Sequence, residues 1–463
     1  MDFLQIVYDL VWGVPALVLI LSVGLYLTFS TKGAQFRLLP KALRAFSCRL
    51  TDRSTTDAGV SSFQALCTAL AATVGTGNLA GVAGAMALGG PGAVFWMWVC
   101  GLLGMVIKFA EATLSVRYRV LNASGEWVGG PMYMIRHALP KSFWPLASVY
   151  AFFGLIAAFG VGNATQVNTL ISSVCDTAAI FGWTIPVRGK LLLGFGLAFL
   201  IGAMLLGGAA RIGRMAERLV PFAAAMYLFL GIFVLLLRWQ HILPAFSAIV
   251  AGAFAPRAVT GGLVGSLWIT LRIGVSRGVF TNEAGMGTAS MAHAGATVSH
   301  PVEQGMMGLV EVFLDTIVIC TMTALVILVS GVPIPYGVDA GINLTADAFS
   351  AVLGSWVCVL ITCSICLFAL ATVLGWGLYG LRCAQYLFGE GAWRSFVCLQ
   401  VGMVVLGAIL RTERLWLMAE IINGLMAIPN LIVLGALSPE LIHLYKNYLL
   451  GGKYENFHQC QSL

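Results

Sequence analysis

Apolar segments long enough to cross a bilayer follow one another along nearly the whole chain, and no other feature restricts its fold as much. About 20 apolar residues in an α-helix span the hydrocarbon core. In that medium every backbone polar group needs an internal partner, so only helices and closed barrels cross it. The strand-like alternation of a barrel is missing here. Of the 463 residues, 59% are hydrophobic and 10% charged, against roughly 25% charged in an average soluble domain. The chain reads as an all-α, multi-pass membrane protein. The spacing predicts eleven spans: Leu10 to Phe29, a second from about Val60 to Leu88, a third from Ala93 to Val116, and others beginning near Ser148, Lys190, Val220, Gly262, Gly305, Ser355, Trp393 and Trp416. The first lacks a basic segment before it and reads as a helix that stays rather than a cleaved signal.

The formal net charge of +7 marks cytoplasmic loops in such a chain rather than nucleic-acid binding. Lys32, Arg37, Lys41, Arg44, Arg49 and Arg53 follow the first span, and further basic groups recur at Arg117–Lys141 and Arg211–Arg218. This places the N-terminus outside and the C-terminus in the cytoplasm, in a plasma membrane or, for a Gram-negative bacterium, the inner one. Two polar, proline-bearing stretches, 238–259 and 331–354, read as an external linker with a surface helix and an external cap. The cysteines, Cys363-x-x-Cys366 included, read as small buried thiols rather than a metal or redox site.

Inside the second span the run Ala71-Ala72-Thr73-Val74-Gly75-Thr76-Gly77-Asn78 carries two glycines two residues apart. Glycine lowers the barrier to non-helical backbone. A helix opened there frees N–H groups, which suit a carboxylate, and carbonyls, which suit a cation. Close helix packing is the competing reading of such glycines. The span from Gly262 carries Gly274 and Gly278 at about the same depth. Each of these spans precedes four more, and the two sets enter from opposite sides. Paired interruptions in inverted halves point to a carrier's binding site. The chain then divides into an extra N-terminal helix with its cytoplasmic loop (1–55), a first five-helix repeat (56–240), an external linker (241–261), a second repeat (262–440) and a cytoplasmic tail (441–463).

Several polar residues interrupt apolar helices. Asp315 lies mid-span with Glu311 one turn earlier, and a carboxylate at that depth is a functional candidate by default. A structural pair with Arg272 or Arg277 is the favoured role and cation binding the second. Asn282 and Glu283 line an inner gate or cap a half-helix. Asn163, Thr165, Gln166 and Asn168 form a polar cavity wall or join helices. Phe368, Ala371, Thr372 and Trp376 share one helical face, as a packed stripe or as part of a small oxygen cage for Na⁺. No zinc-protease, nucleophile-elbow or phosphate-loop motif is present, which argues against an enzyme or an ATP-driven pump. A channel or receptor is the remaining alternative.

Gly75-Thr76-Gly77-Asn78 with Ala80-Gly81-Val82-Ala83, and Gly89-Gly90-Pro91-Gly92-Ala93-Val94-Phe95-Trp96-Met97-Trp98, resemble the alanine or glycine:cation symporters. Asn282-Glu283-Ala284-Gly285-Met286-Gly287, Asp315-Thr316 with Cys320-Thr321, and Gly375-Trp376 with Tyr379-Gly380 are similar to that family too. The likeness runs from about Gly13 to Pro439. It implies a leucine-transporter-type fold, with five-plus-five inverted helices and one extra N-terminal helix. It also implies uptake of alanine or glycine with Na⁺, less often H⁺; no obligate protein partner is evident from the sequence. By position, Thr76 and Gly77 would meet the substrate carboxylate through backbone groups, with Asn78 a further substrate-binding candidate, while Gln166 and Trp376 shape the pocket. Ala71, Val74 and Phe368 would offer carbonyls to Na⁺ and Thr372 its hydroxyl. Ala371 stands in that set where family members often carry a hydroxyl. Arg277, Glu283 and Asp315 remain gating or ion-pair candidates.

Overall fold

The computed structural model describes residues 3–13, 15–51, 60–256, 260, 266–410 and 413–452. The expected start of a span at Gly262, most of the loop before Val60 and the tail beyond Gly452 lie outside them. The described chain is almost wholly helical. Among the described residues, eight helices are long and apolar enough to cross a bilayer: Ile6–Ser30, Gly92–Arg117, Lys141–Ile180, Val187–Leu205, Gly208–Leu237, Pro301–Ser330, Val357–Phe388 and Trp416–Ala436. A ninth span is broken, with Ser62–Thr73 and Gly77–Gly89 meeting at 50°. The remaining two expected spans correspond to the shorter helices Leu267–Asn282 and Trp393–Gly407.

The first break falls where the glycines place it. Ser62–Thr73 begins with a capping box between Ser61 and Gln64, which satisfies two orphan donors reciprocally. It ends at Val74, whose backbone is extended (φ −77°, ψ 94°). A wide π-type turn over Gly77–Gly81 then leads into Val82–Gly89. Two further wide turns, Gly160–Ala164 and Phe313–Cys320, interrupt the helices beside it. Such turns are frequent at functional sites.

The second break is not at Gly274 and Gly278. Leu267–Asn282 runs as one helix through both. A side chain on Gly274 would run into the Ala93 carbonyl, and one on Gly278 would lie 3.1 Å from Cβ of Cys100. These glycines let two helices approach closely, the packing role of small residues in membranes. The helix opens five residues after Gly278, at Glu283, whose φ is +53°, with Gly285 and Gly287 also left-handed. Thr288–His293 resumes it. The parallel pairing of Val60–Ser61 with Ala296–Thr297 ties the start of the first broken span to the end of the second.

The polar stretches also fold. Ile242–Phe254 packs by Gly252 against Gly92, and its Ala253 carbonyl accepts from the Trp96 indole (3.2 Å). The 331–354 stretch reaches the first broken span: Gly337 N–H donates to the Ala87 carbonyl (2.9 Å) and the Thr345 hydroxyl to that of Leu79 (3.1 Å). Cys363 and Cys366 are free thiols on Val357–Phe388, the first exposed rather than buried.

Candidate functional site

The first break exposes backbone groups to a small cavity of about 20 Å³, lined by Ala72, Thr73, Gly75, Gly77, Val161, Gln166, Phe280, Glu283, Thr372 and Trp376. That is room for about one water. A larger cleft of about 170 Å³, bordered by Glu126, Arg382 and Trp393, shares no lining residue with it.

At the break, the N–H of Gly75, which a continuous helix would give to the Ala71 carbonyl, donates to Oδ1 of Asn78 (2.9 Å). Thr76 and Gly77 follow at the start of the second half-helix, where first-turn N–H groups have no intrahelical acceptor. The Thr76 hydroxyl donates to Oε1 of Gln166 (2.8 Å), whose amide nitrogen donates to the Val161 carbonyl (3.2 Å). Across the gap stands Val357–Phe388. Its Thr372 hydroxyl is buried, has no hydrogen-bond partner among the described residues, and lies 2.5 Å from where a Cβ on Gly75 would be. Gly375 on the same helix meets the Ala72 backbone (a Cβ there would lie 2.8 Å from its nitrogen). A buried hydroxyl left unpartnered beside an opened helix end fits a hard cation. Ala71, Val74, Phe368 and Ala371 are buried around that point but do not line the cavity.

Asn78, expected at the substrate, is fully buried behind the cavity. Its amide braces the break instead, donating to Oδ1 of Asp315 (2.6 Å). Asp315 also accepts from the Thr316 hydroxyl (2.9 Å), which accepts from Asn282 (3.0 Å), whose Oδ1 takes the Ala284 N–H (2.9 Å). One line of hydrogen bonds thus joins the two breaks. The expected pairing of Asp315 with Arg272 or Arg277 does not occur. Arg272 pairs with Asp9, and Arg277 with Asp339 (3.1 Å) and Glu420 (2.9 Å). The carboxylates of Asp9, Asp339 and Glu420 hold both arginines, and Asp315 is left to neutral donors. Glu311, one turn earlier, joins Lys108 (3.2 Å) and His293 (3.0 Å).

Of the polar run near Gly160, only Gln166 reaches the cavity. Asn163 donates to the Gln400 carbonyl (2.8 Å) and Asn168 to those of Gly407 and Leu410 (3.1 and 2.6 Å), joining helices. Thr165 bonds back to Val161 (2.7 Å).

At the other end of the cavity the Trp376 indole donates to Oε1 of Glu283 (2.9 Å), and the Thr288 hydroxyl donates to Oε2 (2.6 Å). Trp376 rests against Gly162, where any side chain would collide with it. The opened loop after Glu283 is held from Gly92–Arg117. Oε1 of Glu111 accepts from the N–H groups of Gly285 (3.0 Å) and Gly287 (2.9 Å) and from Asn430 (2.7 Å). Sequence reasoning missed Glu111, Phe280 and Val161. Glu111 carried a signal, a carboxylate three residues after Lys108 in an apolar span; Phe280 and Val161 carried none.

The model of the sodium:alanine symporter family matches residues 1–459. The chain belongs to that family. It is 41% identical over 451 residues to the sodium/alanine symporter AgcS of Methanococcus maripaludis, covering 96% of each chain. It is 35% identical to the amino-acid carrier protein AlsT of Bacillus subtilis, over 96% of this chain and 92% of that one. A crystal structure of MhsT in complex with L-phenylalanine superposes with a TM-score of 0.57 at 15% identity, over 83% of this chain and 90% of that chain. That likeness is one of fold, the leucine-transporter type. As a member of the sodium:alanine symporter family the chain is a multi-pass membrane transporter and not an enzyme.

Proposed function

We infer that this member of the family is a secondary symporter that imports small neutral amino acids, alanine and glycine, with Na⁺, by alternating access. The observation that carries the reading is the break at Gly75–Gly77, set beside an unpartnered Thr372 hydroxyl, the Gln166 amide and Trp376 around one small buried cavity. The half-helix start at Thr76 and Gly77 receives the substrate carboxylate. Gln166, Phe280 and Trp376 bound the space for the side chain, which keeps the substrate small. The freed carbonyl at Ala71, with those of Val74 and Phe368, and the Thr372 hydroxyl form a neutral oxygen cage that suits a weakly held Na⁺. Two breaks, each ending a half-helix beside the same cavity, supply the hinges by which inverted five-helix repeats would open it alternately. The N-terminus is outside and the C-terminus cytoplasmic.

Labelled alanine uptake into proteoliposomes under imposed gradients tests this. Uptake should follow an inward Na⁺ gradient, and preloaded unlabelled alanine should accelerate exchange, which a channel does not do. Uptake driven by a pH gradient alone would transfer the coupling to H⁺, with buried Asp315 beside the break as its first candidate.

A further inference from the structure

We propose that the Glu283 side chain is the counter-ion of the substrate's ammonium group. The inference rests on the amino-acid symporter reading above. Of the ten residues lining the cavity, Glu283 is the one with an acidic or basic side chain. Its side chain is buried, and its oxygens are met by two neutral donors, the Trp376 indole N–H at 2.9 Å and the Thr288 hydroxyl at 2.6 Å. Among the described residues it makes no ion pair. The cation of the neighbouring cluster, Lys108, is engaged with Glu311 at 3.2 Å and Glu111 at 4.0 Å.

A buried carboxylate without a cation is costly, and this one is held in place deliberately. Glu283 adopts a left-handed backbone (φ +53°), unusual for a side-chain-bearing residue, at the point where the helix opens. Such strain persists only where the surroundings impose it, and it collects at ligand sites. Here Glu111 imposes it by taking the N–H groups of Gly285 and Gly287 (3.0 and 2.9 Å).

An amino acid enters as a zwitterion, and both of its charges lose water. The first break offers N–H groups to the negative end. Glu283 offers the positive end a carboxyl group, which no other lining residue has. The Trp376 indole occupies Oε1 in its place, and the cavity of about 20 Å³ is too small for an amino acid. An entering ammonium displaces the indole N–H from Oε1, and Trp376 moves aside as the cavity enlarges.

The test is calorimetric titration of the full chain in lipid nanodiscs at saturating Na⁺, with alanine and with propionate, which has the carboxylate and no ammonium. The parent should bind alanine and ignore propionate. Glu283→Gln keeps the size and an acceptor for the indole but removes the charge. It should weaken alanine about a hundredfold, the scale of deleting one partner of a buried charged pair, with the Na⁺-induced rise in melting temperature retained. Alanine binding within threefold of the parent overturns the proposal. So does loss of the Na⁺ effect together with alanine, because Glu283 would then be a cation ligand. Should Glu283→Gln not fold, Glu283→Asp decides: alanine preferred over propionate by tenfold or more upholds the proposal, and equal binding overturns it. A parent that binds neither alanine nor glycine refutes the symporter reading itself, and this role of Glu283 with it.

Discussion

At Thr372 a buried hydroxyl faces an opened helix end with no hydrogen bond of its own among the described residues. Na⁺ prefers hard oxygen ligands, and Ala371 beside it adds no side-chain oxygen. Replacing the hydroxyl by a methyl in Thr372→Val should raise the Na⁺ concentration for half-maximal uptake about tenfold, a change of about 1.4 kcal/mol. Because the hydroxyl makes no hydrogen bond among the described residues, the melting temperature should stay near that of the parent. Thr372→Ser should be mild and Ala371→Ser should strengthen Na⁺ dependence. Uptake against Na⁺ at fixed pH reads all three, and a parental curve for Thr372→Val would place the cage elsewhere. Gln166 acts on the other ligand. Its Oε1 takes the Thr76 hydroxyl at 2.8 Å, so Gln166→Ala unties one edge of the pocket and leaves a polar group unpaired. Competition among glycine, alanine, serine and leucine should change in rank while Na⁺ dependence changes little. An unaltered ranking would reduce Gln166 to a strut between helices.

At the scale of the element, two glycine pairs that look alike in sequence do different work. Gly77 sits in a break, and a Cβ there would lie 3.4 Å from the Phe280 ring. Gly77→Leu would push that ring into the cavity and obstruct the half-helix start. It should abolish alanine binding in a titration while the protein still inserts and folds. Gly274 sits in a continuous helix with its face against the Ala93 backbone. Gly274→Leu should force that helix pair apart and lower the melting temperature, whatever remains of transport. Equal melting temperatures for the two variants would contradict this division. What separates the pairs is the chain that follows. After Gly77 comes Asn78, whose side chain replaces a helical hydrogen bond. After Gly278 the helix continues until Glu283, where Glu111 pulls the backbone N–H groups aside.

At the scale of the whole molecule, a cluster of buried ionisable side chains stands behind the two breaks. Lys108, Glu111, Glu311 and His293 are all fully buried, and they join Gly92–Arg117 to Pro301–Val312 and to the loop after Glu283. Removing one member of a buried ionic group leaves its partners uncompensated, at about 3–5 kcal/mol. Lys108→Met should therefore lower stability by about that amount in thermal unfolding, and adding Glu311→Gln should restore part of it. A melting curve unchanged by Lys108→Met would mean that the lysine does not neutralise these carboxylates. The cluster holds the second break open from behind, so the same variant should also weaken alanine binding.

The class of this protein was legible in its sequence, because a bilayer leaves a chain so few ways to satisfy its backbone. Long apolar stretches with few charges dictate helices, and eight of the expected spans appear as long helices with a ninth broken where Gly75 and Gly77 stand together. Gln166, Thr372, Trp376 and Glu283 could be singled out because a polar or glycine-flanked residue in an apolar helix is conspicuous. The partners of such residues were not legible. Asp315 meets Asn78 rather than an arginine, and Arg277 meets Asp339 and Glu420, because helix rotation and crossing decide which faces oppose. Those are set by packing between segments hundreds of residues apart. The location of the second break, too, was decided only in the tertiary structure. Whether a glycine opens a helix or lets another helix approach depends on what stands across from it: a backbone carbonyl at Gly274, and beyond Asn282 a carboxylate that takes the N–H groups a continuing helix would have used.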